Sequence, residues 1–542
     1  MESGKVLLCA LNSQYIHSNP GIWSLKVAAE QYAGNYQIAL PEIEIQEYTI
    51  NDSYEQILSS ILRAQPDILG FSVYIWNVRR VKDLLQDIRV VLPGCRILLG
   101  GPEVSFGIPE IPSALYDHVI AGEGERAFFG LLLKLLHIQI PAGYTCEGQL
   151  KGEEIPFIYS DENIDRFANR IVYYESSRGC PFSCAYCLSG GEERVRFKPL
   201  EQVFRDLDFF IRHRVPQVKF VDRTFNCNGE RSRRILTYLL EHAAGSSMNF
   251  HFECAGDLFD DEQLAIIAQA PRGLFQFEIG IQSTYAPALC AACRKTDTNK
   301  VLQNVRRLLQ GANANVHVDL IAGLPEEGYA RFTQSFNEVY DLHAHQLQLG
   351  FLKILKGAPL NDMKDRYGYL FSQNPPYEIL RNNVLSNGEL LRMKAVEDVL
   401  NRYYNAGRYG KTLALLTEKS ATPWDLYEDL SQWFVERGLL GRGISARNAS
   451  EELLSFALSR YPEDRERICW TLLEDFYRTD PSDVVPISLK PYHTPASVAR
   501  KMVPDCPSGQ TVRLIREQIY LIDYNKKDPV TGLFAVNLFC PV

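Results

Sequence analysis

The chain has 542 residues, of which 46% are hydrophobic and 23% are charged, and its formal net charge is −9. This length allows about two to four domains, and the composition is that of a globular protein rather than a disordered or fibrous one. The negative net charge excludes a global basic field that would hold nucleic acid or an anionic membrane surface.

The N-terminus, MESGKVLLCALNSQ, does not have the pattern of a signal peptide, because its apolar run is short and leads directly into polar residues. No apolar run reaches the length of about 18 residues that a membrane span needs. We therefore predict a cytoplasmic protein without a membrane partner. Thirteen cysteines in such a chain indicate reduced thiols or metal ligands rather than a disulfide framework.

Residues 1–140 alternate short apolar runs with stretches of helical periodicity, such as the one that carries Ile57, Leu58, Ile61 and Leu62. Strands that alternate with helices predict a parallel sheet covered on both faces, here an N-terminal flavodoxin-like (Rossmann-type) domain. Ligands of such a domain lie outside the carboxyl ends of the strands. The predicted strands are 5–11, 43–50, 67–74, 96–101 and 118–122.

A linker with several Pro and Gly residues follows at 141–170, and a second series of strands and helices occupies residues 171–368. Six units at this spacing predict a partial (β/α)6 TIM-like barrel, whose chemistry belongs at the C-terminal ends of its strands. The predicted strands are 171–177, 217–222, 249–255, 274–280, 315–321 and 346–354.

The C-terminal region, residues 369–542, is predicted to be mostly helical, above all over 388–480. A late pair of strands, 511–525 and 532–539, flanks the turn segment KKDPVTG. This region has no recognisable chemical motif, and from its position we expect it to select the substrate or to act as an accessory domain.

Three cysteines lie within eight positions of the segment SSRGCPFSCAYCLSG, namely Cys180, Cys184 and Cys187. Thiolates are soft ligands that suit iron–sulfur clusters and zinc. A closed zinc site needs four protein ligands, and the next 20 residues contain no Cys or His. Three thiolates on one loop therefore favour a [4Fe–4S] cluster with one iron open to an exogenous ligand.

The segment CPFSCAYC resembles the Cx3CxΦC signature of radical S-adenosylmethionine (SAM) enzymes, with Tyr186 as the aromatic residue before the last cysteine. The resemblance implies that Cys180, Cys184 and Cys187 are the catalytic, metal-binding residues and that Tyr186 contacts the cofactor. It also implies that SAM chelates the fourth iron and is cleaved to a 5′-deoxyadenosyl radical. The protein would supply orientation and would exclude water.

Later strand ends look similar to the SAM-binding strand ends of this family. Glycine in the segment FEIGIQS would let the backbone approach a ligand closely. The family's usual GGE at the end of the second strand is absent, and the segment VDRTFN with Asp222 stands in its place. The GGE at 190–192 lies too close to the cysteine loop to be the equivalent of that motif. The residues implied to contact SAM are Glu253, Gly280, Gln282 and Gly323.

A flavodoxin-like domain directly before such a barrel resembles the cobalamin (B12)-binding branch of the radical SAM family, and the loops GGPEVS, AGEGE and NSQYIHSNPG look like those of that branch. Glycines there would let backbone N–H groups meet amide and phosphate oxygens. The DxHxxG sequence is missing, as in many radical SAM members, and we expect His17 to be an exposed or capping residue. The residues implied to line the cobalamin site are Asn12, Ser72, Gly100, Gly101, Pro102, Glu103, Gly122 and Glu123.

Another group of radical SAM enzymes, the methylthiotransferases, carries three cysteines in the first domain that hold a second cluster. Cys9, Cys95 and Cys146 are present here, but their spacing does not suggest a shared metal, and we interpret them as buried or incidental. Cys290 and Cys293 form a CxxC segment that we interpret as packing residues of a helix.

The resemblance implies an enzyme that methylates an unactivated carbon of a small molecule or peptide through methylcobalamin. It also implies an electron donor such as flavodoxin or ferredoxin. Two alternatives stay open: a cobalamin-independent radical SAM oxidoreductase or methylthiotransferase, and a non-catalytic sensor that binds cobalamin or a cluster. Since relatives with one fold perform different reactions, the reaction type is an expectation at the level of the family.

Overall fold

The computed structural model describes residues 4–107, 110–189, 194–503 and 505–539, so the GGE triplet at 190–192 lies outside the described residues. The chain divides into two compact units. The first consists of Met1–Phe225, Lys353–Lys364 and Phe371–Glu378. The second consists of Asn226–Leu352, Asp365–Leu370 and Ile379–Val542.

The first unit begins with a five-stranded parallel sheet in the order β2-β1-β3-β4-β5, which confirms the predicted flavodoxin-like domain. All seven residues of the first strand and all five of the third are buried, as expected for strands covered on both faces. The strands are β1 (Val6–Asn12), β2 (Ile43–Thr49), β3 (Ile68–Ser72), β4 (Arg96–Gly100) and β5 (His118–Ile120).

Five helices connect and follow these strands, and their apolar faces pack on the sheet. The second and third helices contribute Ile57, Ile61 and Leu85 to one core with strand residues Leu7 and Phe71. A cap residue begins the first helix, since the Asn19 side chain accepts a hydrogen bond from the N–H of Ile22 at 3.2 Å. The helices are α1 (Pro20–Tyr36), α2 (Tyr54–Ala64), α3 (Val78–Val91), α4 (Pro102–Ser105) and α5 (Glu125–Leu135).

The first unit also contains the start of the second series. Strand β6 (Val172–Tyr174) pairs in parallel with β9 (Gln217–Phe220), with α6 (Leu200–Arg212) between them in sequence. The short strands β7 (Ser177–Arg178) and β8 (Arg196–Phe197) pair antiparallel beside the cysteine segment.

The second unit continues the series with four parallel strands in sequence order. Residues alternate along them: in β11, Phe277, Ile279 and Ile281 are buried on one face, while Glu278 and Gly280 on the other face are partly exposed. The strands are β10 (Asn249–Cys254), β11 (Phe275–Gln282), β12 (Asn315–Ala322) and β13 (Gln346–Phe351). The helices are α7 (Gly229–Ala243), α8 (Asp261–Gln269), α9 (Ala286–Ala291), α10 (Thr298–Gly311) and α11 (Tyr329–Tyr340).

The rest of the chain is mostly helical, as predicted. After α12 (Pro359–Asp362), β14 (Leu370–Phe371) and β15 (Ile379–Arg381), most of residues 387–479 are helical. These helices are α13 (Asn387–Tyr403), α14 (Gly410–Lys419), α15 (Pro423–Glu436), α16 (Ala446–Arg460) and α17 (Arg465–Thr479), and α18 (Ala496–Ala499) follows. Every helix in the described ranges is too short or too polar to span a lipid bilayer.

The chain ends in an antiparallel sheet of three strands, not the predicted pair: β16 (Gln510–Ile515), β17 (Gln518–Lys527) and β18 (Phe534–Phe539). The segment 511–525, read as one strand, is itself a hairpin that turns at Arg516 and Glu517. Arg516 has a φ of 54°, a conformation that favours Gly or Asn. Because neither residue stands at this position, the sequence did not indicate a turn there.

A buried carboxylate links two C-terminal helices. Asp475 of α17 accepts hydrogen bonds from the N–H groups of Lys411 (3.1 Å) and Thr412 (2.8 Å) and from the Thr412 hydroxyl (2.7 Å). It therefore satisfies N–H groups that have no partner within the first turn of α14. Burial raises the pKa of Asp475 from 3.8 to about 6, because desolvation outweighs these hydrogen bonds.

This raised pKa predicts a pH dependence of stability. Since the folded state holds the proton more tightly, the contribution of Asp475 is present below about pH 3.8 and is lost as the pH rises through about 6. We expect the wild type to lose about 2–3 kcal/mol relative to Asp475→Asn between pH 4 and pH 7. The free energy of unfolding of both proteins, measured by urea titration across this pH range, checks the prediction. If the two proteins showed the same change in this free energy with pH, the prediction would be contradicted.

Candidate functional site

The three cysteines lie on one loop that follows β7. Gly179, with a φ of 101°, turns the chain into the loop, and Cys180 and Cys184 are buried while Cys187 is partly exposed. The N–H of Cys187 donates to the carbonyl of Cys184 at 3.0 Å, and the Cys180 Sγ lies 3.6 Å from Thr224 Oγ1. The loop thus carries three thiols in a short, internally bonded turn.

Asp222 supports the start of this loop. Its side chain is fully buried and accepts hydrogen bonds from the hydroxyls of Ser176, at 3.2 Å, and Ser177. These serines directly precede Arg178 and the cysteines. Asp222, which stands where the family's GGE would be, therefore holds two serine side chains at the start of the cysteine loop.

A cavity of about 460 Å³ lies in the first unit, at the carboxyl ends of the first sheet. Six glycines contribute to its wall: Gly21, Gly70, Gly100, Gly101, Gly122 and Gly124. At Gly101, with a φ of 106°, a Cβ would come within 2.6 Å of the Val73 carbonyl oxygen, so only glycine fits there. The predicted cobalamin-site residues that line this cavity are Ser72, Gly100, Gly101, Pro102, Gly122 and Glu123.

The other two predicted residues point elsewhere. Asn12 is buried, and its amide donates to the His17 carbonyl at 3.0 Å and to Glu47 at 3.2 Å. Glu103 accepts a hydrogen bond from Tyr377 and lies 3.6 Å from the Lys356 ammonium. Glu47 is 35 residues from Asn12, and Tyr377 is 274 residues from Glu103, so the motif could not reveal these partners.

His17 is half-buried rather than exposed or capping. Its Nδ1 lies 2.5 Å from the Tyr173 hydroxyl. Burial lowers its pKa, and the nearby charge of Lys219 lowers it further. Of the described residues that line the cavity, none is a histidine.

The cavity also has a charged wall that the sequence did not single out. Arg178, Glu175, Leu188 and Ser189, which flank the three cysteines, and Arg223 line it together with residues of the first sheet. Burial by itself raises the pKa of Glu123. Hydrogen bonds from Arg196 and from the Leu150 N–H, together with the nearby charge of Arg178, outweigh burial, so the pKa of Glu123 lies below its usual value. Glu123 is therefore ionised at neutral pH.

Glu125 completes this wall as the first residue of α5. It is 4% exposed, and its Oε1 accepts hydrogen bonds from Ser24 (2.7 Å) and Arg178 (2.9 Å). Its Oε2 is buried and has no hydrogen-bond partner in the described part of the chain. A buried acceptor at a cavity wall needs a donor from a ligand or from water.

The predicted SAM contacts belong to the second unit. In β10, Glu253 stands opposite Glu278 of β11, and the register shifts between Gly280 and Gln282, where Gln282 has a φ of 69°. Arg294, which the sequence analysis missed, donates to the Gly280 carbonyl. Strand β11 thus ends in an irregular segment that carries two of the four predicted residues.

Gly323 follows β12 with a φ of 95°. Its carbonyl accepts hydrogen bonds from the Tyr369 hydroxyl at 2.8 Å and from the Asn382 amide at 3.3 Å. These partners lie 46 and 59 residues away in sequence, so the backbone there is fixed by the later part of the second unit.

A cluster of titratable groups occupies the polar face of the same strands. Glu278, His317 and Asp319 place ligand atoms within 4.8 Å of one another. His251 of β10 lies 3.2 Å from Glu278, and His317 lies 3.0 Å from Asp319. Two carboxylates and a histidine are a donor set that a divalent metal could use, but they are equally a network of ion pairs.

Of the other cysteines discussed above, Cys9 and Cys95 are buried, Cys146 is partly exposed, and Cys290 and Cys293 are exposed. Burial raises the pKa of the Cys9 and Cys95 thiols, that of Cys95 to about 11, which agrees with their interpretation as buried side chains. The interpretation of Cys290 and Cys293 as packing residues is wrong, because both are exposed. They lie at the end of the short helix α9, which leaves this face to solvent.

The donor sets fit the groups that the sequence implied. Three cysteines on one loop leave a fourth position of a [4Fe–4S] cluster open. The cavity combines glycine backbone with the orphaned Glu125 Oε2, which could accept a hydrogen bond from an amide side chain of a corrin. Both sites lie in the first unit, and Leu188 and Ser189, directly after Cys187, line the cavity.

Three domain families match the chain. A B12 binding domain matches residues 6–132, and a radical SAM superfamily domain matches residues 174–339. A family described as a protein of unknown function (DUF4080) matches residues 365–502. The first two matches coincide with the parallel sheet domain and with most of the second series of strands.

Two curated proteins are similar in sequence. The 2-(S-pantetheinyl)-carbapenam-3-carboxylate methyltransferase of Streptantibioticus cattleyicolor is 26% identical over 356 residues, which cover 59% of this chain and 51% of that protein. The cobalamin-dependent radical SAM methyltransferase TokK of Streptomyces tokunonensis is 25% identical over 351 residues, which cover 56% of this chain and 50% of that protein. The chain spans about half the length of the curated relatives it matches.

Solved structures share the fold. The cobalamin-dependent SAM radical enzyme OxsB, with aqua-cobalamin and SAM bound, has a TM-score of 0.59 and 16% identity, over 88% of this chain and 84% of that chain. The radical SAM methyltransferase TsrM of Kitasatospora setae, with cobalamin and a [4Fe–4S] cluster, has a TM-score of 0.56 and 15% identity, over 86% of this chain and 92% of that chain. A radical SAM domain implies a [4Fe–4S] cluster and SAM, and a B12 binding domain implies cobalamin. With both domains in one chain and the three cysteines in place, the chain belongs to the cobalamin (B12)-binding radical SAM enzyme family.

Proposed function

We propose that this protein is a cobalamin-dependent radical SAM methyltransferase that methylates an unactivated carbon of a small molecule or peptide. One observation carries the proposal: in the first unit, residues on both sides of the cysteine loop line the same cavity as the glycine loops of the parallel sheet. A cluster on this loop and a corrin in this cavity would be neighbours. Proximity of two reactive groups to one substrate atom supplies much of the rate of such a reaction.

The residues of the chain have distinct roles in this proposal. Cys180, Cys184 and Cys187 hold the cluster, and the glycine wall and Glu125 hold the corrin by backbone approach and by a hydrogen bond. When bound, the cluster with SAM supplies hydrogen-atom abstraction, and cobalamin supplies a transferable methyl group. A flavodoxin or ferredoxin would donate the electron.

In the second unit, we assign SAM recognition to Glu253, Gly280, Gln282 and Gly323. Arg294 joins them, because a guanidinium that lies against Gly280 can pair with a carboxylate in a fork geometry, and SAM carries one carboxylate. The residues from 369 onward, mostly helical and without a recognised catalytic motif, would select the substrate.

Anaerobically purified protein tests the proposal with two probes, SAM and hydroxocobalamin. We expect reconstituted protein to bind hydroxocobalamin with a changed corrin spectrum, and to release 5′-deoxyadenosine and S-adenosylhomocysteine from SAM under reduction. Release of 5′-deoxyadenosine without hydroxocobalamin binding would favour the cobalamin-independent enzyme. Binding of either cofactor without turnover of SAM would favour the sensor.

A glycine substitution tests the SAM assignment. In Gly280→Ala, the new Cβ would lie 2.2 Å from the Gln282 amide nitrogen, so Gln282 must leave its position. We expect the Kd for SAM, measured by equilibrium dialysis on cluster-loaded protein, to rise about tenfold, a free-energy loss of about 1.4 kcal/mol. Gly245→Ala is the control, since no atom lies within 4 Å of its Cβ. Equal affinities in both variants would remove Gly280 and Gln282 from the SAM site.

A further inference from the structure

Arg178 uses all three nitrogens of its guanidinium group on three carboxylates. Its Nε donates to Glu175 at 2.9 Å, its Nη1 donates to Glu123 at 3.0 Å, and its Nη2 donates to Glu125 at 2.9 Å and to Glu175 at 2.7 Å. The side chain is only 15% exposed. An ion pair of this kind is screened little by solvent.

The three carboxylates come from two different parts of the first unit. Glu123 and Glu125 follow β5 of the parallel sheet domain, 55 and 53 residues before Arg178, whereas Glu175 follows β6. Arg178 itself stands two positions before Cys180. The guanidinium therefore joins the glycine-lined domain to the first residues of the cysteine loop.

The contacts also fix the wall of the cavity. Arg178 and its three carboxylate partners all line it. Glu123 is held in turn by Arg196 and by the Leu150 N–H at 2.9 Å, and Glu125 is held by Ser24. Arg178 makes four hydrogen bonds through the three nitrogens of one planar group, which the compact ammonium of lysine with three donors cannot reproduce. Lysine could therefore replace the charge of Arg178 but not its geometry.

We propose that Arg178 is a positioning residue that sets the placement of the cobalamin cavity against the cluster loop. The inference rests on the proposed function, because it assumes that a corrin occupies this cavity. Without Arg178, three carboxylates, of which Glu125 is buried and Glu123 and Glu175 are partly buried, face each other with Arg196 as the remaining guanidinium partner within this network. They repel each other, and the Glu125 side of the wall moves away from the loop.

The test uses full-length, cluster-reconstituted protein and hydroxocobalamin as the probe. We expect the Kd of hydroxocobalamin to rise about 10–100-fold in Arg178→Gln and less in Arg178→Lys. A second readout is EPR of reduced protein that contains cob(II)alamin, where spin–spin broadening between the cluster and cobalt depends on their separation. We expect broadening in the wild type, a weaker effect in Arg178→Gln, and partial recovery in Arg178→Lys.

Arg126→Gln is the matched control. Arg126 follows Glu125 in sequence and pairs with both oxygens of Glu154, at 2.7 and 2.8 Å, but it does not line the cavity. If Arg178→Gln fails to fold, Arg178→Lys supplies the comparison. The inference would be overturned if the Arg178 variants had the same Kd for hydroxocobalamin and the same EPR broadening as Arg126→Gln. A wild type that binds no hydroxocobalamin would instead overturn the proposed function.

Discussion

Replacement of Cys180, Cys184 or Cys187 by alanine should abolish the iron–sulfur cluster and with it the cleavage of SAM. Each cysteine would supply the thiolate of one iron, and all three lie on the one loop that follows β7. Loss of a residue that hydrogen-bonds to a metal ligand commonly lowers metal affinity or activity about 10–100-fold. Loss of the ligand itself should therefore lower the activity at least about 100-fold. Iron and sulfide content, the EPR signal of the reduced cluster and release of 5′-deoxyadenosine measure it.

Cys290→Ala provides the control for this prediction. Cys290 is exposed at the end of α9 in the second unit, so its removal should leave the iron content and the EPR signal at the wild-type level. A Cys184→Ala variant with a full cluster signal would contradict the assignment of the loop. It would leave the buried thiols of Cys180 and Cys184 as packing groups.

The arrangement of the fold was predictable because local patterns encode it. The buried runs of β1 and β3 and the period-2 alternation of β11 stand in the sequence as continuous or alternating apolar residues. The cysteine spacing likewise identified its loop. Ser72 and Gly100 were found because they end parallel strands, and such ends meet at one edge of a sheet.

The parts that could not be predicted depend on partners far away in sequence. The direction of the Glu103 side chain is set by Tyr377, 274 positions later, and the role of Arg178 by carboxylates more than 50 positions earlier. In the sequence, Glu125 is marked only as the last residue of the segment AGEGE, whereas its burial and its unsatisfied Oε2 appear only in the packed unit. Local spacing carries no information about such contacts.

Gly100→Leu should prevent cobalamin binding while leaving the cluster intact. Gly100 ends β4, lines the cavity and has no positive φ. A Cβ there would meet only the Ile120 carbonyl oxygen, at 3.7 Å, which is ordinary contact distance, so the added side chain can project into the cavity without backbone strain. We expect the Kd of hydroxocobalamin to rise at least about 100-fold, a loss of about 2.7 kcal/mol.

Gly94→Leu separates occlusion of the cavity from a general effect of a larger residue near β4. Gly94 is exposed, does not line the cavity and has no atom within 4 Å of its Cβ, so this variant should bind hydroxocobalamin like the wild type. Both variants should keep the iron content and 5′-deoxyadenosine release of the wild type within about twofold, because neither glycine belongs to the loop that carries the three cysteines. If Gly100→Leu bound hydroxocobalamin as tightly as Gly94→Leu, the corrin would have to lie outside this cavity. The glycines of β4 and of the loop after it would then have only a structural role in the sheet.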